Sequence, residues 1–188
     1  VPQYCAVVAH KGGVAALALA LRKQPADAAV QRNAFVALTA LTGSQDGQRA
    51  AAHKGGAVAL AVEALRAHAG DAAVVCAAAG ALGNMAACAD NAALVTDSSS
   101  GALGLLAAAM QRHAERADVQ QRCTSALTNI AIHCAADRAA MRTGAVLDAV
   151  LTALERHGAK EPRVAVTGCQ FLGNIALDEA GQTLPLPE

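Results

Sequence analysis

Tryptophan is missing from this chain, and its aromatic residues are only Tyr4, Phe35 and Phe171. So few rings cannot form a base-stacking platform. Fifteen acids balance fifteen bases with no basic stripe, which argues against nucleic-acid recognition. Strand-forming residues are too sparse for sheets. The six cysteines form no CxxC pair. Also missing are G-x-S-x-G, a P-loop, G-x-G-x-x-G and H-E-x-x-H, so no familiar catalytic or cofactor signature is present. The apolar stretch over 72–89 is interrupted by Gly80, Gly83 and Asn84 and reads as a buried helix, not a membrane span.

What remains is helical material. The chain has 188 residues, 54% of them hydrophobic, enough to bury a substantial core. Alanine, leucine and valine dominate, and alanine is the best helix former, so an all-α fold with closely approaching helices is expected. Cys5, Cys76, Cys88, Cys123, Cys134 and Cys169 sit inside helical patterns as small core residues do. Unpaired thiols of this kind point to a reducing, cytoplasmic compartment. A start at Val1 points to a fragment or processed form, with self-association through exposed end repeats as a companion expectation.

The chain repeats itself. "HKGG" occurs at 10–13 and 53–56, and Gly101 and Gly144 continue that series 43 residues apart. Val30, Val74, Val119 and Val164 fall 44, 45 and 45 residues apart, and Leu38, Leu82, Leu127 and Leu172 repeat those intervals. "ALGNMAA", "ALTNIAI" and "FLGNIAL" place Asn84, Asn129 and Asn174 at a 45-residue spacing. Each unit has one grammar. A short helix (45–53, 90–97, 136–142) runs into a glycine turn and a second helix follows. A third helix then starts near an acid at Asp27, Asp71 or Glu161, with Pro162 suited to a first helical position.

The stretches at 55–86 and 101–131, "GGAVALAVEALRAHAGDAAVVCAAAGALGNMA" and "GALGLLAAAMQRHAERADVQQRCTSALTNIA", resemble armadillo repeats. The resemblance implies a right-handed α-solenoid superhelix of about four three-helix units forming one domain. The units are 1–43 (first helix incomplete), 44–88, 89–134 and 135–178, with a tail at 179–188. Two-helix HEAT repeats are the nearest competitor, and the glycine break favours armadillo.

At 100° per residue, Val74, Ala78, Leu82 and Met85 form an inward stripe, while Asn84 lies about 200° from Leu82 with Gly80 and Cys88. The matching faces carry Arg122, Ser125, Asn129 and His133 in the next unit, and Gln170, Asn174 and Asp178 in the last. In the first unit the face offers Arg32, Asn33 and Val36, with Ala40 at the asparagine position. In the armadillo family the third helices line a concave groove, so the resemblance implies that these residues bind an extended peptide or protein partner. An amide pairs with both the C=O and N–H of a peptide backbone. The competing role for the asparagines is to brace adjacent repeats. Importin-alpha-like members carry tryptophan where this chain has Gly80, Ser125 and Gln170, and beta-catenin-like members have a more strongly basic groove. Neither specialised mode is expected.

The reading is therefore a non-enzymatic binding scaffold that needs no cofactor or metal. A structural spacer within a larger assembly is the alternative, and a HEAT-like metal-dependent enzyme a remote one. His68, His113 and His157 recur at the ends of second helices. With about 10 Å between stacked units they cannot share one ion, and they read as helix-terminal polar residues.

Overall fold

The computed structural model describes residues 2–43, 56–88, 91, 94–95, 101–177 and 181–182. Among these the fold is all-helical. The order is α1 (Pro2–His10), α2 (Gly13–Lys23), α3 (Ala28–Thr42), α4 (Ala57–Ala67), α5 (Ala72–Ala86), α6 (Ala102–Arg112), α7 (Ala117–His133), a 3₁₀ turn (Ala135–Asp137), α8 (Arg138–Met141), α9 (Ala145–His157) and α10 (Pro162–Ile175).

Two layers result. In one, α2, α4, α6 and α9 pack neighbour to neighbour; in the other, α3, α5, α7 and α10 do the same, and each helix of the first layer packs on the next in sequence from the second. The glycines make the entries to the first layer. Gly12, Gly56, Gly101 and Gly144 all take positive φ (88°, 72°, 64° and 68°) immediately before α2, α4, α6 and α9. An L side chain is strained there. Acids open the second layer at two places: Asp27 accepts from the Ala29 and Val30 amides, and Asp71 from those of Ala73 and Val74. Glu161 caps α10 without a side-chain hydrogen bond, ahead of Pro162. Arg116 holds the equivalent position before α7.

The expected inward stripe is the core: Val74, Ala78, Leu82 and Met85 are each fully buried. Alanine and glycine allow close packing around them. At Gly83 a Cβ would sit 3.0 Å from the Ala126 Cα, so α5 and α7 approach nearly backbone to backbone. Phe35 and Phe171, two of the three aromatic residues, fill the core at its two ends. No helix among the described residues is long and apolar enough to cross a membrane.

The expected helix over 45–53 lies outside the described residues, and that over 90–97 is described only at Asn91, Leu94 and Val95, which are helical. Over 136–142 the structure differs from the expected single helix. A 3₁₀ turn passes into the four-residue α8. Polar bonds hold this segment in place. Buried Arg138 donates to the Ala131 carbonyl at the end of α7 (2.8 Å), and Arg142 donates to Ile175 O at the end of α10 (2.6 Å) and to Leu177 O. Cations suit those carbonyl-rich termini.

Candidate functional site

The outer face of α3, α5 and α7 forms a cleft of about 450 Å³. Arg32 and Val36 line it from α3, Gly80 from α5 and Arg122 from α7, all four on the face read from the sequence. A narrower cleft of about 20 Å³ continues from Gly80 and Arg122 past Asn84, Ser125 and Asn129. Seven of the expected groove residues thus share one lining. Asn33, Cys88, His133, Gln170 and Asn174 line neither cleft. Asn33 is exposed on α3, Cys88 is half-buried just past α5, His133 is the exposed last residue of α7, and Gln170 and Asn174 lie on α10. Asp178 lies outside the described residues.

Thr39, Cys76, Arg116 and Asp118 line the larger cleft too, and the sequence reading missed them. The signal was present. Cys76 is one helical turn before Gly80, as Asp118 is before Arg122, so both faces extend a turn further toward the helix starts.

The asparagines have specific partners. Asn84 donates from Nδ2 to the Thr39 carbonyl (3.0 Å), and Asn129 to that of Gly83 (2.8 Å). Thr39 and Gly83 lie in the last turns of α3 and α5, where helix carbonyls lack an intrahelical donor. Each asparagine therefore caps the end of the neighbouring helix. Asn174 behaves differently, donating to Gln170 O on its own helix (2.7 Å). The cause is the length of α7. It runs 17 residues, to His133, where α3 and α5 have 15. The carbonyls opposite Asn174 are therefore internal to α7 and already bonded.

Other polar groups repeat this pattern. Buried Gln31 donates to Leu21 O (3.0 Å) and Gln24 O (2.9 Å) at the end of α2, and buried Gln120 to Met110 O and His113 O (both 2.9 Å) at the end of α6. His68, His113 and His157 reach back to the carbonyls of Pro25 (2.7 Å), Ala69 (2.8 Å) and Ala114 (2.7 Å). A carbonyl only accepts, so each Nε2 carries a proton. The histidines are bound to the preceding turn at separate points along the molecule.

The electrostatics of the larger cleft follow from one fork. Arg116 binds Asp118 through Nε (3.0 Å) and Nη2 (2.7 Å). The guanidinium holds the Asp118 carboxyl below its usual range, helped by the Val119 amide. Cys76 has its pKa pushed up to about 12, first by burial and then by the Asp118 charge, to which the thiol also hydrogen-bonds. It is a neutral donor here, not a thiolate nucleophile. Burial raises Cys123 as well. Among the described residues no three His, Cys, Asp or Glu side chains gather into a metal-binding group. Geometrically, the site offers small apolar walls, guanidinium groups, and amides at Asn84 and Asn129 that each commit one N–H to a neighbouring helix.

No protein-family model and no curated protein matches the chain. Among the solved structures that resemble it are two crystal structures of engineered proteins from the Northeast Structural Genomics Consortium. One has a TM-score of 0.75 at 24% identity over 94% of this chain and 67% of its own. The other has a TM-score of 0.79 at 22% identity over 95% of this chain and 41% of its own. At these identities the likeness shows the fold alone.

Proposed function

We propose that the chain is an armadillo-type domain, a right-handed α-solenoid of about four units, and a non-enzymatic scaffold that holds an extended peptide or partner protein in the groove along α3, α5 and α7. The continuous lining from Arg32 through Gly80 to Asn129 carries this reading. An extended strand laid along it meets small side chains that admit its backbone. It also meets amides at Asn84 and Asn129, each with one N–H committed to the neighbouring helix and a second N–H and an oxygen remaining by count.

A second reading, a spacer in a larger assembly, draws support from the same bonds. Asn84 and Asn129 brace helix ends, so their spacing needs no ligand to explain it. Panning the immobilised chain against a random-peptide display library separates the two. The scaffold reading expects enriched sequences that lose capture when Gly80→Leu fills the groove. A Cβ at Gly80 meets nothing closer than the Thr39 hydroxyl at 3.6 Å, so this variant should fold, with circular dichroism as the check. No enrichment, or capture indifferent to Gly80→Leu, favours the spacer.

A further inference from the structure

We infer that the groove selects an acidic peptide: a Glu or Asp side chain of the bound strand rests its apolar stem on the small residues of the larger cleft and places its carboxylate against Arg32 and Arg122. The inference rests on the peptide-groove reading above, names the chemistry of the occupant, and revises the sequence expectation because the cleft's one carboxylate, Asp118, is already paired with Arg116.

The charges are unevenly distributed. The whole chain is neutral, yet this cleft holds three guanidinium groups and a single carboxylate. Asp118 is engaged by Arg116 through both oxygens. Arg32 and Arg122 form no ion pair or side-chain hydrogen bond among the described residues, which leaves two cations without a counterion there, one from α3 and one from α7 on either side of α5. Cys76 adds no negative charge, since its thiol is neutral and bonded to Asp118.

The shape agrees with this. Ala40, Ala73, Ala77 and Gly80 supply small walls. A Cβ built on Gly80 would lie 3.7 Å from Arg122 Cδ and 3.8 Å from its Nη1, so the arginine stem runs across the cleft beside the glycine. A carboxylate entering there can take two parallel N–H donors from a guanidinium, the strongest geometry available to this pair. A basic side chain would meet two like charges and an acid already in use. A neutral one would desolvate two cations without return.

The probes are fluorescein-labelled, end-blocked (Thr-Glu)₄ and (Thr-Gln)₄ peptides, whose alternation sets every Glu or Gln on one side of an extended chain. Binding is read by fluorescence anisotropy. The Glu peptide should bind at least about tenfold tighter than the Gln peptide. Arg32→Gln with Arg122→Gln should erase that preference. Arg112→Gln with Arg163→Gln, which removes the same charge from exposed positions outside the cleft, should retain it. Equal affinity for both peptides, each displaced by Gly80→Leu, overturns the acid preference while the groove reading stands. Equal loss in the two double variants overturns the placement at Arg32 and Arg122. If neither peptide binds a chain that does enrich library peptides, the acid preference alone fails. Circular dichroism of both double variants separates lost binding from lost folding.

Discussion

Replacing the three periodic asparagines one at a time should give two different results, although their sequence contexts are nearly the same. In Asn84→Ala the Thr39 carbonyl at the end of α3 loses its donor, and in Asn129→Ala the Gly83 carbonyl at the end of α5 loses its own. A buried acceptor left unpaired costs about 1–3 kcal/mol, and these half-buried ones belong near the lower end because water reaches them. Alanine returns roughly 0.5 kcal/mol of helix propensity. Each variant should therefore lose about 0.5–1 kcal/mol net, and the pair about 1–2 kcal/mol if the sites act independently. Asn174→Ala breaks only a bond to a carbonyl of its own helix. It should be neutral or slightly stabilising by the same propensity gain, about 0.5 kcal/mol. Urea unfolding followed by circular dichroism measures all three. Equal effects at the three sites would refute the capping argument, as would unchanged stability of the Asn84→Ala/Asn129→Ala pair.

Further outcomes follow from the packing and the thiols. Gly83→Leu drives a side chain into the Ala126 backbone, 3.0 Å from where its Cβ begins, and should cost about 2–4 kcal/mol or prevent folding, read from the urea midpoint. Thr124 buries a hydroxyl with no hydrogen-bond partner among the described residues, so Thr124→Val should stabilise by about 1 kcal/mol in the same assay; a loss would show that the hydroxyl is satisfied. Iodoacetamide at mildly alkaline pH should label exposed Cys169 well before Cys76 and Cys123, as read by peptide mass mapping, and comparable rates would contradict the raised thiol pKa values. Cys76 also sets an alkaline limit. Its pKa of about 12 lies above the ordinary 9.0, so its contribution is fully present below pH 9 and is lost as pH rises toward 12. Cys76→Ala should flatten that part of the stability profile, and an unchanged slope would refute the assignment.

Local rules carried much of the fold into the sequence. Gly12, Gly56, Gly101 and Gly144 mark turns because glycine, with no Cβ, takes the positive φ found at each without strain. Asp27 and Asp71 mark helix starts because a short carboxylate reaches the second and third amides. Glu161, one methylene longer, makes no such bond. The face bearing Asn84 and Asn129 was also legible, because a helical wheel gives direction. What the wheel withholds is the neighbour across the gap. That Asn84 meets an orphan carbonyl while Asn174 does not depends on where the preceding helix stops, and α7 outlasts α3 and α5 by only two residues. Gln31 and Gln120 escaped notice for the same reason. A glutamine followed by Arg32 and Asn33, or by Gln121 and Arg122, reads as part of a polar surface and gives no hint that it serves the end of another helix.

The most direct test is a ¹⁵N-labelled NMR titration of the chain with a library-selected peptide, following every amide. The groove account predicts shifts concentrated around Val36, Gly80, Arg122 and Ser125 on α3, α5 and α7. Perturbations gathered instead on α2, α4, α6 and α9 would put the partner on the opposite layer and contradict it.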